Sequence, residues 1–235
     1  MKRLALIAVC AAVVAGLGAA PSGATNECHG LQLCVRVAGP WVVVPAALTT
    51  PRARVDFQLS CPRGYVIGGL DAELTDRAID IAFLGKLGSP VNPGVTTARS
   101  ALFRGTYTGT TPKGPSFRPH LGCLPSAGGG SGPVPRRALA AFAPGEPTIT
   151  RVRNVRLRPG VVRAFASCAA GERLISAWHA VAFSTPSPPS EALIQSVSAT
   201  HRVQGRRVQV TARSTSAVQA VRAVVQIGAV CGGGS

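Results

Sequence analysis

Acidic residues and aromatic rings are scarce in this sequence. Its 235 residues include 9 Asp and Glu against 25 Lys and Arg, and aromatic residues make up only 5%. The shortage of carboxylates leaves little material for carboxylate-based catalysis, such as the paired acids of glycoside hydrolases. The shortage of rings disfavours the stacking platforms of nucleic-acid-binding modules. It also requires a core built from Val, Ala, Leu and Ile.

Recognisable catalytic motifs are missing as well. No Gly-x-Ser-x-Gly nucleophile elbow occurs, and a Ser-His-Asp hydrolase needs a positioned serine, a base and an orienting acid. Of the few histidines, His179 follows Trp178 in a strand-like run, which is more typical of a partly buried ring than of a base. We therefore expect a protein without catalytic activity and without a cofactor. A secreted hydrolase with an unrecognised active site is the alternative.

Long hydrophobic runs are absent except near the start of the chain. Two basic residues precede an uncharged apolar run at 4–17, and small residues follow it. This pattern predicts a secretory signal peptide at residues 1–24, with cleavage after Ala20 as an alternative. The run is shorter than the ~20 residues of a membrane-spanning helix. We expect a secreted or cell-envelope-associated protein with no transmembrane segment in the mature chain.

The cysteines support export. Of the seven cysteines, Cys10 lies inside the predicted signal peptide. The six that remain predict three disulfides, because an even number in an exported chain is typical of a disulfide framework. The number of cysteines leaves the pairing open. The short separation of Cys28 and Cys34 favours one pair, and the nearly equal long separations favour Cys61–Cys123 and Cys168–Cys231. A zinc site with His29 and His120 is the rival interpretation, and the long gaps between ligands disfavour it.

The two long cysteine pairs enclose similar sequences. A glycine, Gly64 or Gly171, stands three residues after the first cysteine of each pair, followed by an apolar run. Each half then has a Ser/Pro-rich break and a last apolar run into its second cysteine. Short Val-rich runs between Gly and Pro residues favour strands. The sequence therefore predicts an all-β protein of two tandem small antiparallel β-sandwich or partly open barrel units, each closed by a disulfide.

The predicted organisation after the signal peptide has four parts. These are an N-terminal segment with a short disulfide loop at 25–40, a first β unit at 41–124, a Gly/Pro/Ser-rich linker at 125–146 and a second β unit at 147–235. Strands are predicted at 65–74, 78–84, 101–108, 117–123, 173–183, 192–199, 208–213 and 224–231. A hairpin is expected around Gly205. The stretch 214–228 fits a helical or a strand period, and its equivalence to the run before Cys123 favours strand.

One motif in the first half resembles a known type of sequence. Cys61-Pro62-Arg63-Gly64, followed by Gly68-Gly69, is similar to the Cys-Pro-x-Gly, then Gly-Gly, β units of exported proteins from high-GC Gram-positive bacteria. The resemblance covers most of residues 55–125. Over 155–231 only the cysteine and the glycine are kept. It implies an extracellular β protein and supplies no catalytic residue.

Four of the nine acidic residues are close together in the sequence. They are Asp71, Glu73, Asp76 and Asp80. Several carboxylates in one loop are a candidate Ca²⁺ site, because Ca²⁺ takes six to eight oxygen ligands. No EF-hand spacing is present. The alternative is a solvated hairpin with Asp71 and Glu73 on one face.

Arginines form two runs in the second half. The first run is Arg151, Arg153, Arg156 and Arg158, and the second is Arg202, Arg206, Arg207 and Arg213. If they share a face, their guanidinium groups form an anion-binding surface through bidentate contacts. The formal charge of +16 favours partners such as an acidic cell-wall polymer or another extracellular polyanion, with nucleic acid bound only non-specifically. A solvated face without a specific ligand is the alternative.

Overall fold

The computed structural model describes residues 25–31, 33–46, 50–84, 99–110, 114–126 and 148–232. The predicted signal peptide and most of the predicted linker lie outside these ranges. The described chain forms curled antiparallel sheets and one short helix. In chain order the elements are β1 (Val35–Ala38), β2 (Trp41–Val43), β3 (Arg54–Ser60), β4 (Tyr65–Leu74), β5 (Ile79–Leu84), β6 (Ser100–Tyr107), β7 (Ser116–Pro125), β8 (Thr148–Arg156), β9 (Gly160–Ser167), β10 (Arg173–Ser184), α1 (Glu191–Gln195), β11 (Val197–Gln204), β12 (Arg207–Ser214), a 3₁₀ turn (Ser216–Gln219) and β13 (Arg222–Gly232).

The all-β fold predicted from the sequence is confirmed, and so are most of the strands. The strand predicted at 192–199 is partly wrong, because α1 occupies the first half of this stretch and β11 begins only at Val197. The Ser190 side chain caps this helix by accepting a hydrogen bond from the Leu193 N–H at 3.3 Å. Serine is a strong helix N-cap residue, so this local signal decides the helix. Among the described residues, no helix has the length and apolar character to cross a membrane.

The two halves use the same strand pairing. In the first half β7 lies between β4 and β2, and β6 lies between β3 and β5. In the second half β13 lies between β10 and β8, and β12 lies between β9 and β11. The strand that follows the first cysteine of each long pair, β4 or β10, has a shift in its pairing register. The shift lies seven residues after that cysteine in both halves, at Gly68 and at Ile175. The agreement extends from topology to an irregularity, which supports a repeated six-stranded plan.

The two halves are nevertheless not separate bodies. Strand β2 pairs with β7 of its own half and with β10 of the other, so one seven-stranded sheet runs through both. Alternate residues of β10, Trp178, Ala180 and Ala182, pack into the core of the first half. Strand β10 therefore contributes one face to each of the two cores, because successive side chains of a strand point to opposite sides.

Three disulfides join the pairs that the spacing favoured. Cys61–Cys123 and Cys168–Cys231 have nearly equal Cα separations, 5.7 Å and 5.6 Å, and Cys28–Cys34 closes the N-terminal loop. Each long bridge ties the residue after one outer strand, β3 or β9, to a strand of the seven-stranded sheet. The described sulfurs are therefore all engaged with one another, and they offer no thiolate ligand for zinc.

The N-terminal loop packs onto the outer face of the first half. Gly69 on β4 and Gly122 on β7 stand directly opposite each other. A Cβ at either position would overlap the carbonyl group of Glu27. The missing side chains thus let the loop backbone lie directly against the sheet, as glycine pairs permit where two backbones approach closely.

Candidate anion-binding face

The sheet β9–β12–β11 has one apolar and one polar face. On β12, Val208, Val210 and Ala212 are buried, and the alternate residues from Arg207 to Arg213 point outward. This follows from the two-residue period of a strand packed on a core. Several arginines of this sheet therefore point outward on its polar face.

Strand register decides which outward residues become neighbours. Thr211 lies opposite Thr200 on one side and Arg163 on the other, and Gln209 lies opposite Arg202. Directly paired residues on one face bring their Cβ atoms to within about 5 Å. The result is a shallow depression of about 540 Å³, lined by Arg163, Ser198, Ala199, Thr200, Arg202, Gln209, Thr211 and Arg213.

Arg207 extends the same face toward the hairpin. Its guanidinium lies 5.2 Å from the centre of the Phe165 ring, a cation–π distance. Phe165 is opposite Gln209 in the register, so the ring belongs to the same polar face. We call this outer surface, with Arg163, Arg202, Arg207 and Arg213, the arginine face.

No carboxylate neutralises the arginine face within the part of the chain that the structure describes. None of the ion pairs found there includes its four arginines. The two acids of residues 148–232 are engaged elsewhere. Glu191 accepts a hydrogen bond from Gln195 at 3.0 Å, and Glu172 is paired with Arg151. The face therefore presents uncompensated positive charge beside hydroxyl and amide groups.

The two predicted arginine runs belong to different sheets. The first run lies on and just after β8, in the seven-stranded sheet, where Arg153 donates to the Phe165 carbonyl at 3.3 Å. In the second run, Arg206 lies in the hairpin turn and donates to the Ala169 carbonyl at 2.8 Å. Arg163, which the sequence analysis did not single out, joins Arg202, Arg207 and Arg213 of the second run on the arginine face. The sequence signal for Arg163 is its position on the outward side of the alternating strand at 160–167. That signal identifies a site residue only when the pairing of β9 with β12 is known.

Arg151 is held in a structural ion pair. It makes two hydrogen bonds to Glu172, at 3.1 and 2.5 Å, and Glu172 also accepts from the Ala169 N–H at 2.7 Å. The hydrogen bond from Arg151, followed by that from Ala169, holds the pKa of Glu172 below its ordinary value. Arg151 is therefore not available in the way the exposed arginines of the face are.

The acidic stretch of the first half does not converge on one point. Asp71 accepts from the Asn26 N–H, Asp76 accepts from the Ala78 N–H and the Tyr107 hydroxyl, and Glu73 faces His120 at 3.3 Å. Asp80 lies exposed on β5. Asp71 and Glu73 share the outer face of β4, as an alternating strand requires. The Ca²⁺ site stays a prediction, to which the arrangement of these four carboxylates adds no support.

A buried polar cluster lies under the N-terminal loop. Glu27 is 2% exposed, and its Oε1 is 3.7 Å from Arg36 Nε and 3.9 Å from His120 Nδ1. His120 is in turn close to Glu73. A buried carboxylate is costly unless charged or polar groups compensate it. Neither Glu27 carboxylate oxygen has a hydrogen-bond partner among the residues that the structure describes, so the nearby Arg36 guanidinium and the His120 ring are the groups that offset its burial.

A cleft of about 290 Å³ lies where the two halves meet. One wall carries the buried Asp56, which makes two hydrogen bonds with Arg104, at 2.7 and 2.8 Å. The opposite wall carries His179 and His201, whose Nδ1 atoms are 2.8 Å apart. Hydrogen bonding to Asp56 raises the pKa of Arg104. Burial, and then the neighbouring His201, lowers the pKa of His179.

Within the described residues, no serine hydroxyl is hydrogen-bonded to a histidine. What the fold and its surfaces define is a disulfide-bonded β protein with a basic sheet face. Comparisons with protein-family models, with curated proteins and with solved structures found no match to this chain.

Proposed function

We propose that this protein is exported and non-catalytic, and that it binds an extracellular polyanion through the arginine face. An acidic polymer of the cell envelope is the partner class that the chemistry fits best. The observation that carries the proposal is the grouping of Arg163, Arg202, Arg207 and Arg213 on one sheet surface whose described residues include no carboxylate.

The shape of the face favours an extended chain of anions over a small enclosed ligand. Neighbouring strands lie ~4.8 Å apart, and successive outward residues on one strand lie ~7 Å apart. Arginines on three adjacent strands can therefore contact several anionic groups of one polymer. Guanidinium groups bind phosphate and carboxylate oxygens in bidentate fashion, and Thr200, Thr211 and Gln209 add neutral hydrogen-bond donors between them.

Export is supported by the covalent chemistry. Three disulfides are typical of proteins that mature in an oxidising compartment. The sequence pattern of residues 1–24 agrees with that compartment. Outside the cytoplasm, acidic wall polymers and anionic headgroups are accessible polyanions, whereas genomic DNA is not.

The first prediction tests the arginine face with soluble inorganic polyphosphate. The wild-type protein should bind it with an affinity that falls steeply with salt, because bound arginines release counterions. Triple replacement of Arg163, Arg202 and Arg213 by Gln should weaken binding and lower the slope of log affinity against log salt by about one per arginine. Fluorescence anisotropy between low and high salt measures both quantities.

A matched control separates the arginine face from total charge. Replacement of Arg63, Arg77 and Arg156 by Gln removes the same charge from exposed positions outside the arginine face. This variant should keep most of the affinity. Equal losses in the two triple variants would reduce the binding to a non-specific charge effect and contradict the proposal.

The hydrolase alternative stays a prediction that no contact in the described residues favours. Substrate panels on the oxidised protein test it independently. A catalytic activity that persists when the protein is purified to homogeneity would contradict the non-catalytic proposal.

A further inference from the structure

Two imidazole rings meet at the mouth of the cleft between the halves. His179 comes from β10 in the seven-stranded sheet, and His201 comes from β11 in the facing sheet. Their Nδ1 atoms are 2.8 Å apart, and their rings are edge to face with centres 4.9 Å apart. His201 is exposed and His179 is half-buried. The pair is thus anchored on one side and accessible from the other.

Hydrogen bonding assigns the protons of the pair. The His179 Nε2 lies 3.1 Å from the Ala199 carbonyl oxygen. A carbonyl only accepts, so this nitrogen carries the proton and the Nδ1 of neutral His179 holds a lone pair. His201 then donates its Nδ1–H to that lone pair. The contact of His179 with a backbone carbonyl is the one that metal-binding histidines commonly make through their second nitrogen.

The surroundings of His179 favour its uncharged form. Burial and then the neighbouring His201 lower the pKa of His179. The other charged groups that line the cleft are Arg54, Arg104 and Asp56. Asp56 and Arg104 neutralise each other in their two-point ion pair, which leaves Arg54 as the remaining cation on the far wall.

We propose that His179 and His201 form a two-histidine site for Cu²⁺, with the remaining coordination positions open to the cleft. Imidazole suits copper, zinc and nickel, and Cu²⁺ binds such nitrogens most tightly of these metals and favours tetragonal geometry. Two nitrogens ~2.0 Å from a metal at an angle of ~90° stand ~2.8 Å apart. The observed Nδ1–Nδ1 distance of 2.8 Å matches these neighbouring square-planar positions.

Binding needs a small change in one ring. The exposed His201 ring turns so that both lone pairs point to the metal, and its proton moves from Nδ1 to Nε2. No net proton is released when both rings start neutral. The site uses residues apart from the arginine face and does not depend on the polyanion proposal.

The test is titration of the oxidised, untagged protein with Cu²⁺, followed by calorimetry and electron paramagnetic resonance. The expected result is one bound ion per chain, with a tetragonal spectrum that shows two imidazole nitrogens. The variants H179Q and H201Q should each weaken binding by at least about tenfold, because even losing an outer-shell partner of a metal ligand typically costs 10–100-fold. His201 is exposed, so H201Q remains informative if H179Q folds poorly.

His29 provides the matched control. It is exposed in the N-terminal disulfide loop, far along the chain from the pair, and H29Q should bind Cu²⁺ as the wild type does. The proposal is overturned if the wild type takes up no copper at micromolar concentrations. It is also overturned if folded H201Q keeps the affinity and the spectrum, or if H29Q alone loses them.

Discussion

At the scale of single residues, Glu172 is a buried acid that forms a structural ion pair in the arginine-rich second half. It accepts hydrogen bonds from Arg151 and from the Ala169 N–H, in the turn that follows Cys168. The pair fixes the start of β10 against β8, since Arg151 belongs to β8. Glu172 is thus held in a structural ion pair with Arg151 and does not neutralise the arginine face.

The second prediction concerns the pH dependence of this pair. The folded pKa of Glu172 lies below its ordinary value of 4.5, chiefly because Arg151 donates to it. The pair therefore stabilises the fold above pH 4.5 and loses this contribution as the pH falls through the folded pKa. The melting temperature of the wild type should exceed that of Glu172→Gln by the largest margin at pH 7, and the two melting temperatures should converge in acid. A difference that stays constant down to pH 2 would rule out this linkage.

The third prediction concerns Gly122. A Cβ there would overlap the Glu27 carbonyl, so Gly122→Ala should displace the N-terminal loop and expose the buried Glu27 and His120. Hydrogen exchange of residues 25–31 should rise while the second half is unchanged. Ala82→Ser on exposed β5 is a control for a small added group. Unchanged loop protection in Gly122→Ala would show that the backbone contact does not hold the loop.

At the scale of elements, the long disulfides join the two layers of each half. Cys231 is fully buried on β13, and its partner Cys168 follows β9. Cross-linking a stretch of this length restricts the unfolded chain and is worth ~4 kcal/mol in the loop-entropy description. The core of the second half contains many small residues, such as Ala164, Ala212 and Ala229, so a covalent link replaces part of the missing apolar area.

The fourth prediction follows for the bridge of the second half. Replacing both Cys168 and Cys231 by Ala should lower the free energy of unfolding by ~2–5 kcal/mol. The same change at Cys28 and Cys34 should cost less, because that loop is short. Denaturant unfolding measures both values. A thiol titration of the native wild type should find no free sulfhydryl, and finding one would refute the pairing.

At the scale of the whole molecule, the halves are joined by more than the β2–β10 pairing. Gln226 on β13 is 1% exposed, and its amide accepts from the Gln58 N–H at 2.6 Å and donates to the Gln58 carbonyl at 3.0 Å. It also donates to Asn154 at 2.9 Å. The side chain thus completes the hydrogen bonding of the β3 backbone in the other half, as a neighbouring strand would.

The fifth prediction is that the two halves unfold together. The shared sheet and the β10 residues in the first core make one cooperative unit, so calorimetry should give a single transition with equal calorimetric and van't Hoff enthalpies. Gln226→Ala leaves partly buried backbone groups of Gln58 unpaired, at a cost of up to ~1–3 kcal/mol. It should lower stability or split the transition. Two separate transitions in the wild type would contradict the single unit.

The strands and the bridges could be predicted from the sequence because their signals are local or simply numerical. The strand-like run at 65–74 begins directly after Gly64, and the repeated cysteine spacing favoured the pairs that the structure contains. The helix at Glu191–Gln195 was missed although its signal is local. Its five residues are too few to show a period, and only the Ser190 cap marks it.

The sequence by itself thus determined the all-β class, the positions of most strands and the chemistry of a basic, disulfide-bonded chain. Tertiary structure alone decided that Arg163 joins Arg202 and Arg213, that His179 meets His201, and that β2 fuses the halves into one sheet. The physical reason is that a strand's sequence specifies which side chains point outward. Which outward residues become neighbours depends on pairing and register with strands far away in the chain.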